Sequence, residues 1–201
     1  MEALNTTLFL MVNATPASPA WLLHLAIFFA RDLIAIVPLT MVALWLWGPQ
    51  HRIVHQRHLV IKIALALLIS VIISWILGFI FPHERPFAKG IGYQFLAHVA
   101  DNSFPSNHGT IIFSFALAFL FWHRLWSGVV LLCAGVAIAW SRVYLGVHWP
   151  MDMAGGFLVG LLACLSSDIL WPIVGIPLYQ ALRRLYRICF APLINKGWVR
   201  D

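Results

Sequence analysis

The chain has 201 residues, of which 62% are hydrophobic and only 10% are charged, and its mean hydropathy is +0.88. Soluble globular domains carry about 25% charged residues. The composition therefore excludes that class and indicates a single integral membrane domain over residues 1–201. The formal net charge of +6 does not indicate nucleic-acid binding, because the basic residues fall in short loops and near the C-terminus, where the positive-inside rule places them.

The N-terminal segment does not have the pattern of a signal peptide. The residues from Met1 to Asn13 include no basic residue, and their apolar run is too short for the hydrophobic region of such a peptide. Pro16 and Pro19 then interrupt the chain before the first long apolar stretch. Residues 1–20 are therefore interpreted as a short surface segment, for which an interfacial helix is one suitable form.

Five apolar stretches follow, and a transmembrane helix needs roughly 20 such residues. They are Trp21–Trp47, Leu59–Phe81, Gly109–Trp122, Trp126–Leu145 and Met151–Ile173. The third is short, so it either begins before Gly109 or has one end in a recess of the protein. The expected fold is an all-α bundle of about five transmembrane helices, with the N-terminal helix as a short sixth. A basic tail, residues 179–201, follows the last span.

The basic residues at the ends of the spans predict the orientation. Nine of the thirteen fall at one set of ends: Arg52, Arg57, Lys62, Arg124, Arg183, Arg184, Arg187, Lys196 and Arg200. The opposite ends of the spans hold only three, Arg85, Lys89 and Arg142. Because basic residues are enriched on the cytoplasmic side, this difference places the first set of ends and the C-terminus in the cytoplasm. The loops 82–108 and 141–150 then both lie on the outer face.

The second of these loops opens the run from Ser141 to Asp152, which is the most informative motif of the chain. His148 and Asp152 are four residues apart, so on a helix they share a face and the carboxylate can hold the imidazole. Arg142 can bind a phosphate with two parallel hydrogen bonds. Ionisable groups beside hydrocarbon are costly and mostly functional. The run indicates a phosphoryl-transfer site at the membrane surface; the alternative is a polar loop with an incidental ion pair.

Two further segments of the outer loops contain candidate residues. The run 103–109 lies just before an apolar helix, and the free backbone N–H groups at a helix N-terminus attract anions. Within this run, Ser106 adds a hydroxyl donor, and His108 can carry a proton near neutral pH. The alternative is a helix cap formed by Ser106 or Asn107. In the run 82–86, Arg85 either binds the phosphate or is an arginine that reaches to the membrane interface.

Together, the three segments resemble the type-2 phosphatidic acid phosphatase superfamily. Its pattern is Lys-x6-Arg-Pro, then Pro-Ser-Gly-His, then Ser-Arg-x5-His-x3-Asp. The third motif matches in full, the second matches except at its glycine, and the first matches only at Arg85 and Pro86. The lysine position holds Gly78, and the glycine position holds Asn107. Lys89 is a candidate substitute for the lysine, although nothing in the spacing supports it. The residues within and next to the second and third motifs are most similar to those of bacterial undecaprenyl-diphosphatases of the bacitracin-resistance type, which also lack the lysine.

The resemblance implies a role for each residue. His148 would be the nucleophile that forms a phosphohistidine, Asp152 would fix its tautomer, and His108 would protonate the leaving group and later deprotonate water. The phosphate-binding candidates are Arg85, Ser106, Asn107, Ser141 and Arg142. No metal or other cofactor is required.

The resemblance also implies the substrate and its location. The substrate would be a polyprenyl diphosphate in the bilayer, namely undecaprenyl diphosphate, hydrolysed so that the cell-wall carrier can be reused. The site would face outwards at the membrane–water interface of the bacterial cytoplasmic membrane. No nucleic-acid partner is expected, and the oligomeric state is left open.

Three other functions are compatible with these motifs. They are a phosphatase for phosphatidylglycerophosphate or phosphatidate, a lipid phosphotransferase, and a membrane transporter or scaffold with a degenerate site. The soluble vanadium haloperoxidases share the phosphate-pocket pattern, but the five apolar stretches argue against that class.

Two polar clusters lie outside the motifs. Arg31 and Asp32, within the first span, are interpreted as a structural ion pair, as residues that orient the site without touching the substrate, or as part of the lining of a lipid groove. His51, His55 and His58 match a metal-binding tract by number, but their basic loop favours a solvated face.

Overall fold

The computed structural model describes residues 2–48 and 50–201, and over these ranges the chain forms helices and no strand. The α-helices are α1 (Glu2–Val12), α2 (Ala20–Arg31), α3 (Ile36–Trp47), α4 (Ile53–Ile80), α5 (Asn107–Trp122), α6 (Leu125–Tyr144) and α7 (Pro150–Asn195). Short 3₁₀ turns over Leu33–Ala35 and Gln50–Arg52 precede α3 and α4.

Among the residues that the structure describes, four helical stretches are long and apolar enough to cross a membrane. They are Ala20–Trp47, Gln50–Ile80, Leu125–Tyr144 and Pro150–Asn195. Helix α5, formed by the third predicted stretch, has 16 residues and at 1.5 Å per residue is about 24 Å long, shorter than the roughly 30 Å hydrocarbon core. It can be short because it is enclosed by α4, α6 and α7, with Phe115 and Ala116 fully buried. The expected all-α bundle of a multi-pass membrane protein is therefore confirmed.

The contact between α5 and α7 depends on two glycines, Gly156 and Gly160, that lie one turn apart. A Cβ atom on Gly156 would come within 2.8 Å of the backbone nitrogen of Thr110, and one on Gly160 within 2.8 Å of that of Ser114. Small residues at this four-residue spacing allow two membrane helices to approach with their backbones nearly in contact. The beginning of α7, which contains Asp152, is thereby held against the beginning of α5.

We expect Gly160→Leu to destabilise the bundle by about 2 kcal/mol or more, because the added side chain must push the α5 backbone away. Thermal unfolding of the detergent-purified protein measures this as a lower transition temperature. Ala154→Leu is the matched control, since Ala154 is an exposed residue of the same helix. Equal transition temperatures for the two variants would contradict the proposed close contact.

The chain beyond the last predicted span is helical. The sequence places the end of that span at Ile173 and a tail from residue 179, whereas α7 continues unbroken to Asn195 and contains three internal prolines. The last residues then return to the bundle: the backbone N–H of Arg200 donates to the Leu46 carbonyl (3.0 Å), and Arg57 donates to the Arg200 carbonyl (2.7 Å). Hydropathy falls after Ile173, but Leu, Ala and Arg are strong helix formers, so loss of hydropathy did not end the helix.

The N-terminal segment forms helix α1, which packs against the beginning of α7. Phe9 is fully buried, and its ring centroid lies 5.1 Å from that of Trp149. The side-chain oxygen of Asn5 accepts a hydrogen bond from the backbone N–H of Met151 (3.1 Å). The segment is therefore a helix that supports the end of the bundle where α6 meets α7, and its interfacial position remains a prediction.

Candidate active site

The connection between α6 and α7, residues 145–149, carries His148 into the interior. Gly146 has φ +78°, and a Cβ at this position would lie 2.1 Å from the Tyr93 carbonyl oxygen, so the turn requires glycine. The backbone N–H of Val147 donates to the Arg142 carbonyl (3.1 Å). The turn leaves the side chain of His148 only 2% exposed.

His148 and Asp152 form the pair that their spacing predicts, although His148 precedes α7 and does not lie on it. Nδ1 of His148 is 3.1 Å from Oδ2 of Asp152. The same carboxylate oxygen accepts the backbone N–H of Trp149 (2.8 Å), as in a helix N-terminal capping box. Because Nδ1 is placed to donate to a carboxylate, the proton belongs on Nδ1, and Nε2 keeps a free lone pair.

The protonation state of His148 follows from its surroundings. Burial is the main cause that lowers the pKa of this imidazole to about 3, and the hydrogen bond that Nδ1 donates to Asp152 opposes that effect only in part. The nearby guanidinium groups of Arg142 and Arg85 contribute to this lowered pKa, since they repel a positive charge on the imidazole. The imidazole is therefore neutral at physiological pH, which is the form that can act as a nucleophile.

Arg85 is buried and directed at His148, so it is not the interfacial arginine of the alternative interpretation. Only 3% of Arg85 is exposed. Its Nη1 lies 3.0 Å from Nε2 of His148 and donates to the Val147 carbonyl (2.8 Å), and its Nε donates to Asp101 (2.8 Å). A fixed guanidinium therefore stands beside the free nitrogen of the imidazole.

Arg142 supplies a second buried guanidinium, which is 2% exposed. Its Nη1 donates to the carbonyl of Ala30 (3.1 Å). This acceptor lies in the last turn of α2, immediately before the chain passes through a 3₁₀ turn into α3. Nε of Arg142 is buried without a hydrogen-bond partner among the residues that the structure describes. An unpaired buried N–H of a charged group is costly, and an anionic ligand would satisfy it.

Ser106 and His108 lie at the beginning of α5, on the same side of the bundle. Ser106 is the N-cap: its hydroxyl accepts the backbone N–H of Gly109 (3.3 Å), and its own N–H donates to the Asp152 carbonyl (3.2 Å). The capping interpretation is thus observed for Ser106, while its hydroxyl hydrogen remains able to donate to a ligand. His108 occupies the first turn and is half-buried.

Two candidate phosphate ligands have other partners in this structure. The side-chain oxygen of the exposed Asn107 accepts a hydrogen bond from Ser74 of α4 (3.2 Å). The hydroxyl of Ser141 donates to the Ile138 carbonyl of its own helix (2.7 Å). The roles of both residues in binding a phosphate remain predictions.

Residues that were not among the sequence candidates also lie at the site, and one of them, Ser103, contacts both His148 and Asp152. Its buried hydroxyl donates to Oδ2 of Asp152 and lies 3.3 Å from Nδ1 of His148. On the other side, Nδ1 of His83 is 3.6 Å from Oδ1 of Asp152. The ring of His98 lies 6.1 Å from that of His148. Sequence spacing gave no signal for these contacts, since all three residues lie on irregular segments.

Arg31 and Asp32 bind each other, with Nε 3.0 Å from Oδ1, and both side chains are exposed. The observed geometry is that of a local ion pair at the end of α2. The contact from this segment to the site is made instead by the backbone of Ala30. Support of the site by the charged pair itself remains a prediction.

The position of the missing family lysine is filled by an amide. A Cβ on Gly78 would come within 2.8 Å of the side-chain nitrogen of Asn102, which donates to the carbonyls of Gly78 (3.1 Å) and Phe104 (2.6 Å). Lys89 is not a substitute, because its ammonium pairs with Glu2 of α1 (2.8 Å).

Beside this amide lies a cavity of about 530 Å³ between α4 and α5. Its lining includes Trp75, Phe79 and Ile111 as well as Asn102 and Asn107. The two aromatic side chains are largely exposed on the outside of the bundle. The cavity therefore connects an apolar outer face of the bundle with residues next to the buried polar cluster.

Comparisons with known proteins agree with this arrangement. The family model described as the PAP2 superfamily matches residues 59–174. The chain is 60% identical, over the full length of both proteins, to YbjG of Escherichia coli (strain K12). It is 26% identical over 185 residues to Undecaprenyl-diphosphatase BcrC of Bacillus subtilis (strain 168), which covers 89% of this chain and 93% of that protein.

Two solved structures share the fold. LpxE of Aquifex aeolicus superposes with a TM-score of 0.64 at 22% identity, over 82% of this chain and 94% of that one. A PAP2-type phosphatidylglycerolphosphate phosphatase of Bacillus subtilis superposes with a TM-score of 0.57 at 19% identity, over 83% and 84%. With the family match and the full-length relative, these findings assign the chain to the PAP2 superfamily, the family that its three motifs resemble.

Proposed function

We propose that this protein hydrolyses undecaprenyl diphosphate to undecaprenyl phosphate and inorganic phosphate. The observation that carries the proposal is the unprotonated Nε2 of His148: Asp152 holds the ring through Nδ1, and the buried guanidinium of Arg85 contacts Nε2. This arrangement suits attack on a terminal phosphate. The choice of substrate follows from the names of two relatives. The B. subtilis protein is named an undecaprenyl-diphosphatase, and the 60% identical YbjG is provisionally named an undecaprenyl-diphosphatase as well.

The first step forms a phosphohistidine. The lone pair of His148 Nε2 attacks the terminal phosphorus, the bond from phosphorus to the bridging oxygen breaks, and His108 protonates that oxygen as undecaprenyl phosphate leaves. Asp152 stabilises the positive charge that develops on the imidazole. A phosphate oxygen replaces Nε2 as the partner of Arg85 Nη1, and Arg142 Nε donates to another.

The second step releases phosphate. His108 removes a proton from water, the water oxygen attacks the phosphorus, and the bond to Nε2 breaks to regenerate neutral His148. Fixed donors such as Arg85, Arg142 and the Ser106 hydroxyl stabilise the charge on the equatorial oxygens, and such stabilisation is usually the largest catalytic effect.

The remaining parts of the proposal concern location. The protein lies in the bacterial cytoplasmic membrane with its site facing outwards and its C-terminus in the cytoplasm, as the distribution of basic residues favours. Residues 1–201 form one lipid-phosphatase domain, in which residues 179–201 are the basic cytoplasmic part. The cavity beside Trp75 and Phe79 accommodates the first part of the polyprenyl chain.

The test is phosphate release by the detergent-purified protein with EDTA present, from undecaprenyl diphosphate, phosphatidylglycerophosphate and phosphatidate in parallel. We expect the first substrate to have the highest kcat/KM. A higher value for either other lipid would reject the substrate assignment but retain the phosphatase. Phosphate transferred to an added alcohol in preference to water would indicate a phosphotransferase. No release from any of the three would favour a transporter or scaffold.

We expect Ser103→Ala to lower kcat for phosphate release about tenfold and to leave KM nearly unchanged. Ser103 holds the carboxylate of Asp152 and lies behind the reacting imidazole, so its loss disturbs positioning of the nucleophile and not binding of the phosphate. Steady-state kinetics measure both constants. Ser70→Ala is the matched control, since Ser70 is also buried but bonds only its own helix, at the Leu67 carbonyl. An unchanged kcat for Ser103→Ala would contradict this role.

A further inference from the structure

A second cavity, of about 730 Å³, lies at the end of the bundle away from His148. It is lined by His51, Val54, His55, His58, Leu59, Lys62, Trp122 and Trp171. Lys62 and Gly78 both lie on α4, 16 residues apart in the printed sequence, and a rise of 1.5 Å per residue separates them by about 24 Å. The cavity is therefore distinct from the candidate active site.

Nitrogen donors form a stripe along one side of this cavity. His55, His58 and Lys62 follow one another at spacings of three and four residues, which places them on a single face at the beginning of α4. His51, in the 3₁₀ turn before α4, lines the same cavity. Across residues 2–48 and 50–201, no group of three or more His, Cys, Asp or Glu side chains is arranged to hold a metal ion. The stripe is thus better suited to an anion, which imidazole N–H groups and an ammonium can bind directly.

Lys62 is fixed at the base of the stripe. Its side chain is 16% exposed, and its ammonium lies 4.2 Å from the centroid of the Trp122 ring. Asp168 of α7 pairs with this ammonium and also accepts the indole N–H of Trp122 (3.3 Å). Asp168 cancels much of the charge of Lys62, so hydrogen bonding by the exposed His51 and His55 must supply most of the affinity for an anion.

The rest of the lining decides the kind of anion. Val54, Leu59 and the two indole rings make half of the lining residues apolar, so the cavity is amphipathic. Cavities between transmembrane helices that contain basic side chains, here Lys62 and three histidines, are typical binding sites for the headgroups of anionic lipids. We propose that this cavity binds the phosphate group of an anionic membrane phospholipid, at a site separate from that of the substrate.

The test is native mass spectrometry of the full-length detergent-purified protein with phosphatidylglycerol or phosphatidylcholine added. We expect one phosphatidylglycerol to be retained in preference to phosphatidylcholine. The double variant His51→Ala/His55→Ala should weaken that retention about tenfold, because two hydrogen bonds to the phosphate are removed. His24→Ala, which changes an exposed histidine of α2, is the control and should leave the retention unchanged.

Three results would overturn the proposal. The first is equal retention of the two lipids, and the second is unchanged retention of phosphatidylglycerol by the double variant. The third is full displacement of the lipid by an equal concentration of inorganic phosphate, which would make the cavity a site for the free ion. Phosphate release from undecaprenyl diphosphate, measured on the same samples, should be unaffected in the double variant and verifies that it is folded. The binding readout does not depend on hydrolysis, so the proposed function and this site can fail separately.

Discussion

His148→Ala is expected to reduce phosphate release from undecaprenyl diphosphate by a factor on the order of 10⁴ or more. Removing the nucleophile eliminates the covalent intermediate, and the remaining positive groups provide only binding and charge stabilisation. The decisive measurement combines the rate with the phosphoenzyme: acid-labile, base-stable labelled phosphate should accumulate on the wild-type protein in a rapid quench and be absent from the variant.

The matched control for this prediction is His98→Gln. The ring of His98 lies only 6.1 Å from that of His148, but His98 bonds the Val99 carbonyl and lies 3.8 Å from Asp101, away from Asp152. We expect its replacement to lower the rate less than about tenfold, since it does not carry the phosphoryl group. A His148→Ala protein that retained even a tenth of the wild-type rate would refute the phosphohistidine mechanism.

Arg142→Ala is expected to lower kcat/KM by roughly 100- to 1000-fold, the range found when a fixed donor to transition-state charge is removed. Arg142→Lys should restore little of this loss. Lysine can reach the Ala30 carbonyl or the phosphate, but it lacks the planar fork that would bind both at once. Steady-state kinetics on both variants measure the effect, and thermal unfolding shows whether each remains folded.

The neighbouring Arg31 supplies the control for charge alone. Arg31→Ala removes an arginine that is 69% exposed in its side chain and pairs only with the adjacent Asp32. We expect a change of less than about threefold in kcat/KM, because exposed ion pairs contribute little. A loss comparable to that of Arg142→Ala would instead show that the Arg31–Asp32 pair supports the site.

The two departures from the family motifs share one environment. Gly78 leaves room for the amide of Asn102, which joins the end of α4 to the loop before α5, and Asn107 accepts a hydrogen bond from Ser74 of α4. Both positions therefore line the cavity between α4 and α5. The charge that the family lysine would bring is not replaced by Lys89, so the two buried arginines carry the positive charge of the site.

The sequence by itself determined the class of fold and the central pair of the site. Five apolar stretches predict five helical segments because hydrocarbon admits only backbone whose hydrogen bonds are satisfied internally. The contact of His148 with Asp152 was predictable because it depends on a spacing of four residues, a local property that survives even though His148 lies just before the helix. The capping position of Ser106 was predictable for the same reason.

Only the tertiary structure decided which residues of the irregular segments reach that pair. Ser103 and Arg85 lie 45 and 63 residues from His148 in sequence, and the 26 residues between α4 and α5, residues 81–106, have no periodicity that would orient their side chains. Arg142 is fixed by a carbonyl 112 residues away, near the break between α2 and α3. Local spacing fixes contacts within a turn, whereas contacts between distant segments depend on how the helices pack, here through the close approach of α5 and α7 at Gly156 and Gly160.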